Sequence, residues 1–246
     1  MTFSSRFTLE SDGEVLDGTL VEPSVGSEVW TRGAPRAAVV IMHGAGAGSQ
    51  QRTLPLAVDF AAAGHRSVVF DFSGHGRSSG QLFELSLRRR QRQARDVVDR
   101  MLPALCPLLL IGFSMSGQTV ADLLEVYGER VTRIALCAPA MYDKAAWGVP
   151  FGAGFTELIR RPESWRDTQA LDVFAQFPGR AVLVLPEQDA VIPAGVTRLL
   201  SETLERRPDA EFRELRIAGS SHQLGSWLTE HPCDRVLVVE ALLTGD

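Results

Sequence analysis

Leu108-Leu109-Leu110-Ile111-Gly112-Phe113-Ser114-Met115-Ser116-Gly117 reads as a buried strand that turns sharply into a helix. The apolar run before Gly112 suits a strand covered on both faces, as in a parallel sheet. The amphipathic stretch 116–127 that follows is long enough for a crossover helix. A serine on such a turn projects its hydroxyl off the sheet edge, and the backbone amide of the next residue, Met115, points at the same space. Small residues flank the serine because helix and strand backbones approach closely there. Ser116 stands where such turns usually carry glycine. It is small enough to fit, but it makes the motif weaker than a full match.

The same buried character recurs in Ala37-Ala38-Val39-Val40-Ile41-Met42, Ser67-Val68-Val69-Phe70 and Ala181-Val182-Leu183-Val184-Leu185, with a shorter run at Ile134-Ala135-Leu136. Helix-sized stretches at 55–63, 87–101 and 195–205 alternate with these runs, a last extended segment spans 211–217, and a last helix spans 232–243. Alternation of buried strand and helix predicts an α/β fold with a predominantly parallel sheet and helices on both faces. Upstream, residues 4–22 alternate in polarity and break at Asp12-Gly13, a turn signal that predicts an N-terminal antiparallel hairpin. A Gly, Ser and Pro-rich loop follows, ending near Pro35. The stretch 139–179 breaks the rhythm and carries Trp147, Phe151, Phe155 and Trp165. It is expected to be a small lid at the sheet's carboxyl edge, where open α/β sheets bind ligands, within a single domain spanning 1–246. An ordinary helical crossover with aromatics used for packing is the plainer alternative.

Composition limits the function classes. The 246 residues are 45% hydrophobic and 22% charged, ordinary values for a globular chain. A net charge of −5 supplies no positive field for a polyanion, so nucleic acid is not an expected partner. Cys106, Cys137 and Cys233 show no metal or redox spacing and are expected to be buried free thiols. No carboxylates or histidines stand at ligand spacing, so neither metal nor cofactor is implied. Residues 1–10 are polar, and no apolar run reaches the roughly 18 residues needed to span a bilayer, so a soluble, cytoplasmic protein without membrane contact is expected.

A serine hydroxyl needs a base to become a nucleophile. Of the histidines, His222 has the best setting, in Gly219-Ser220-Ser221-His222 directly after the last strand. His43 and His75 lie beside glycines in loops, where structural roles suit them. His65 follows Gly64 at a helix end, and His231 precedes Pro232 at a helix start. The imidazole needs a carboxylate to fix its tautomer. Asp189, in the loop after the strand 181–185, is preferred over its neighbour Glu187. The chain order Ser114, Asp189, His222 is the one expected of this triad on a parallel sheet. The oxyanion that develops on an acyl carbon needs two donors. These are expected to be the amide of Met115 and the amide of Ala45, the latter in His43-Gly44-Ala45-Gly46-Ala47-Gly48.

These residues together resemble the α/β-hydrolase superfamily over nearly the whole chain. The resemblance rests on His43-Gly44 after one strand, Asp71-Phe72-Ser73-Gly74-His75-Gly76-Arg77-Ser78 after the next, the elbow at Ser114, the acid Asp189 and the base His222. It implies that His75 and Arg77 shape a loop and do not catalyse. The set is similar to small short-lid serine esterases, including feruloyl-esterase-like and dienelactone-hydrolase-like members. Serine as nucleophile separates it from the dehalogenases and epoxide hydrolases that use aspartate. The expected activity is cleavage of a small-molecule carboxylic ester through an acyl-enzyme, with Trp147 and Phe151 contacting an apolar or aromatic part of the substrate. A thioesterase, peptidase or acyl transferase would use the same triad, and a non-catalytic binding module would keep the fold alone. Five arginines at 88, 89, 90, 92 and 95 are expected to form a solvated helix face with local ion pairs. A phosphate-bearing carrier such as coenzyme A is the alternative use for them.

Overall fold

The computed structural model describes residues 2–23, 37–208 and 210–243. The loop ending near Pro35 lies outside these residues. β1 (Thr2–Ser11) and β2 (Glu14–Pro23) form the predicted hairpin. Its turn residues Asp12 and Gly13 both sit at positive φ (54° and 80°), matching the twist that a two-residue hairpin loop requires.

Six further strands follow: β3 (Ala38–Met42), β4 (Arg66–Phe70), β5 (Leu108–Phe113), β6 (Val131–Cys137), β7 (Arg180–Pro186) and β8 (Phe212–Ile217). The order across the sheet is β1-β2-β4-β3-β5-β6-β7-β8, with antiparallel pairing at β1–β2 and β2–β4 and parallel pairing elsewhere. Met42 pairs with Phe70 on one side and Gly112 on the other, and Gly112 pairs in turn with Leu136. The carboxyl ends of the central strands are therefore level, and the loops that leave them converge.

Alternate strand residues feed two cores. Val40, Met42, Leu110, Leu136 and Leu183 pack on one face with α2 (Leu87–Met101), α3 (Ser116–Tyr127), α5 (Ala170–Gln176) and α6 (Ala194–Glu205). Val39, Ile41, Ile111, Ala135 and Val184 pack on the other with α1 (Leu54–Ala62), α7 (Leu224–Glu230) and α8 (Pro232–Leu243). Burying one Val, Leu or Ile side chain contributes about 1.5–3 kcal/mol, which is why the fully covered central strands carry the fold. The edge strand β8 buries only Ile217 fully, in keeping with its polar composition.

Segment 139–179 joins β6 to β7 through short turns, α4 (Thr156–Ile159) and α5. Phe155 and Trp165 are buried in packing clusters. The segment is pinned to the start of α2, where Arg88 N donates to Trp147 O at 2.9 Å and Phe151 N to Leu85 O at 2.8 Å. Two expectations need correction, and one helix has no counterpart among them. Helix α7 was not foreseen, because seven residues are too few to display a helical period. Cys233 is exposed on the first turn of α8, while Cys106 and Cys137 are buried. Arg90 does not join the solvated arginine face: it lies on the stripe Leu87, Arg90, Ala94, Val97, Val98 that α2 turns inward. The neighbours behave as expected, with Arg89 and Arg92 paired to Asp12 and Arg95 to Asp99. Among the described residues no helix is long and apolar enough to cross a membrane.

Candidate active site

Ser114 occupies the turn between β5 and α3 at φ 49°, left-handed for an L-residue. That conformation costs about 1–2 kcal/mol and persists only where the surroundings enforce it. Here two glycines do so. A Cβ on Gly112 would lie 2.4 Å from the carbonyl oxygen of Ser116, and one on Gly117 would lie 2.8 Å from Pro139 Cβ. Ser114 N donates to Cys137 O at 2.9 Å, which ties the turn to the end of β6.

The structure brings Ser114, His222 and Asp189 together from three loops at the carboxyl edge. Ser114 Oγ lies 3.0 Å from His222 Nε2, and His222 Nδ1 lies 2.9 Å from Asp189 Oδ2. The Asp189 carboxylate can only accept, so Nδ1 carries the proton and Nε2 presents its lone pair to the serine hydroxyl. The second oxygen, Oδ1, accepts from the backbone N–H groups of Val191 and Ile192, each at 2.8 Å, and so holds the carboxylate in place. Glu187, the rival carboxylate, accepts from Gly219 N and does not reach the imidazole.

Ala45 and Met115 line the same cavity as Ser114 and His222, a space of about 340 Å³. Among the described residues neither amide nitrogen hydrogen-bonds to another group. His43 sets the course of the loop that carries Ala45. Its Nε2 accepts from Phe72 N at 3.1 Å, so Nδ1 bears the proton and donates to Gly44 O at 2.5 Å. The Gly44 carbonyl is thereby held toward the imidazole, and the N–H of Ala45 points the opposite way across the trans peptide. Burial, followed by the charge of Arg90, drives His43 well below the ordinary imidazole value and keeps it neutral. Gly44 itself admits no side chain freely, since a Cβ would lie 3.0 Å from Ser114 Cβ.

His75 and Arg77 act as loop formers. His75 is buried, with Nδ1 3.1 Å from Ser73 O, and Arg77 offers its backbone N–H to Asp71 Oδ2 at 3.2 Å. The two aromatics expected at the substrate part company. Phe151 lines an apolar groove of about 500 Å³ with Leu82, Phe83, Phe155 and Ile159, and this groove shares Ala45 and Met115 with the cavity above Ser114. Trp147 is not among the residues lining that cavity or the groove. Its indole N–H donates to Asp122 Oδ2 at 3.3 Å, and it borders a separate cavity of about 260 Å³ with Gln118, Asp122 and Lys144. Two polar residues, Tyr142 and Arg52, are among the cavity residues that the sequence did not point to. Tyr142 comes from segment 139–179, and Arg52 comes from the turn before α1, where its Nη1 donates to Gln223 Oε1 at 3.1 Å. Neither carries a motif that would have singled it out.

A mostly parallel sheet with helices on both faces, a serine on its central strand-to-helix elbow and a histidine after the last strand define an α/β-hydrolase. The chain belongs to the family described as Serine aminopeptidase, S33 (Hydrolase_4), whose model matches residues 33–210. It is 28% identical over 212 residues to the Probable esterase PIR7A of Oryza sativa, covering 83% of this chain and 72% of the relative. Among solved structures it is similar to Est1E from Butyrivibrio proteoclasticus with ferulic acid bound, at TM-score 0.67 and 16% identity, over 94% of this chain and 99% of that one. It is equally similar to the thioesterase domain from the curacin biosynthetic pathway, at TM-score 0.67 and 18% identity, over 96% and 99%. At such identities these two likenesses speak to the fold.

Proposed function

We propose that this protein is a serine hydrolase that cleaves a carboxylic ester through an acyl-enzyme. The observation that carries the reading is the unbroken path from Ser114 Oγ to His222 at 3.0 Å and on to Asp189 at 2.9 Å, at the wall of an open cavity. In this reading Ser114 attacks the acyl carbon while His222 Nε2 takes its proton. The tetrahedral oxyanion is held by the amides of Met115 and Ala45. His222 then protonates the departing alcohol, activates water for deacylation, and returns to its starting tautomer while Asp189 stays ionised. Residues 139–179 act as a short lid, and the groove beside Phe151 receives an apolar part of the substrate.

Ser114→Ala tests the assignment. It should abolish turnover of p-nitrophenyl acetate and labelling by a fluorophosphonate; labelling that survives the substitution refutes the nucleophile.

The family description favours a second reading, cleavage of an amino-terminal peptide bond by the same residues. Comparing kcat/KM across p-nitrophenyl esters, acyl thioesters and aminoacyl anilides separates the two and also examines a thioesterase. The arginine face gives the thioesterase no support, because Arg89, Arg92 and Arg95 already face Asp12 and Asp99.

A further inference from the structure

We infer that Arg90 and Ser116 form one buried strut that fixes the oxyanion loop against the elbow helix, and that both are positioning residues for the reaction. The inference rests on the hydrolase reading above. Arg90 Nη2 donates to His43 O at 2.7 Å and to Ser116 Oγ at 2.7 Å, and Ser116 Oγ donates to the same His43 O at 2.7 Å. The hydrogen count closes. Nη2 spends both of its protons, Ser116 accepts one and donates its own, and the His43 carbonyl fills both lone pairs.

This triangle joins three elements. Arg90 comes from α2, Ser116 opens α3 one residue after Met115, and His43 directly follows β3, two residues before Ala45. Each oxyanion donor of that reading thus lies within two residues of the triangle, and the triangle sets the distance between their segments. The departure of Ser116 from the usual glycine acquires a physical reason: glycine at this position would supply no hydroxyl to bridge the arginine and the loop.

The cost of the arrangement argues for function. Arg90 is fully buried, its guanidinium stacks 3.7 Å from the centroid of the Phe72 ring, and its Nε and Nη1 find no hydrogen-bond partner among the described residues. A buried cation with unpaired N–H groups carries a desolvation cost, so it is not what stability alone would select. Arg90 also acts on the loop through its charge. Burial pushes its guanidinium down to about 9, still a cation at neutral pH, and that charge helps keep His43 neutral in the tautomer that orients the Gly44–Ala45 peptide.

The test uses Arg90→Met, Ser116→Ala, the double variant, and Arg92→Ala as an exposed control on the same helix. With p-nitrophenyl acetate, each strut variant should lose about tenfold in kcat while KM stays within about twofold, because a displaced oxyanion donor weakens acylation and deacylation alike; outright removal costs about 100–1,000-fold. The double variant should be no worse than the poorer single, as expected of groups that act as a unit. The melting temperature of Arg90→Met should not fall, and hydrogen exchange of the backbone amides at 43–48 should quicken in all three. Unchanged kcat overturns the inference, as does a loss of activity that tracks global destabilisation without faster exchange in the loop. If the wild type turns over no ester, thioester or anilide, the hydrolase reading fails on its own. The exchange measurement then decides the strut, and unaltered loop exchange overturns it.

Discussion

Replacing Asp189 with asparagine keeps the shape of the side chain and inverts one of its hydrogen-bonding ends. Oδ1 accepts two backbone N–H groups at 2.8 Å, from Val191 and Ile192, and an amide nitrogen cannot take that place because three donors would then face one another. The asparagine oxygen therefore stays with the backbone, and its NH₂ group faces His222 Nδ1 across the 2.9 Å contact. A donor at that position forces Nδ1 to accept, which moves the imidazole proton to Nε2. Nε2 lies 3.0 Å from Ser114 Oγ, and once protonated it can no longer act as the base. A triad locked in the wrong tautomer loses about 10⁴-fold in kcat, which corresponds to about 5 kcal/mol of barrier. Steady-state hydrolysis of p-nitrophenyl acetate measures it, with Glu187→Gln as the companion, since the Glu187 carboxylate accepts from the backbone N–H of Gly219. Asp189→Asn within about tenfold of wild type, or Glu187→Gln as severe as Asp189→Asn, would refute the reasoning.

Two further outcomes are expected. Burial pushes the Asp122 carboxyl from an ordinary 3.8 up to about 7, so its favourable contribution to folding is complete below about 3.8 and is lost as pH rises through about 7. The melting temperature of wild type relative to Asp122→Asn should therefore decline from pH 4 to 8, the opposite sense to the histidines held below their ordinary value, which both proteins share; a difference that does not vary with pH contradicts this. Phe151→Ala should lower kcat/KM for p-nitrophenyl octanoate about tenfold relative to the acetate, the equivalent of losing part of one buried aromatic contact. Equal losses on both esters would place the acyl chain elsewhere.

Much of this architecture was legible because its signals are local. The runs at 108–113 and 181–185 contain little but apolar residues, as strands buried on both faces must. The bounds of α2, α3 and α8 follow from amphipathic or apolar stretches long enough for a helix, the last opened by Pro232. Ser114, Asp189 and His222 each stand just past a strand, where small and polar residues interrupt the apolar pattern. The order of strands was not legible. Placing β4 between β2 and β3 depends on how the crossover carrying α1 wraps the sheet, which no window of sequence encodes. Arg90 was hidden by its company, since arginines on either side of it are exposed or paired at the surface. Its spacing from Leu87 and Ala94 was the available signal, and charge overrode periodicity in the reading. The partner of Trp147 was equally illegible: its indole N–H donates to the Asp122 carboxylate 25 residues away in sequence, a pairing that no local pattern encodes.

The central claim is that one hydroxyl in this chain is activated by an imidazole, and covalent capture addresses it most directly. After brief exposure to a fluorophosphonate, intact mass and peptide mapping should show a single phosphonyl adduct on Ser114. The adduct should form far more slowly in His222→Ala. No adduct, an adduct on another serine instead, or a rate indifferent to His222 would contradict it.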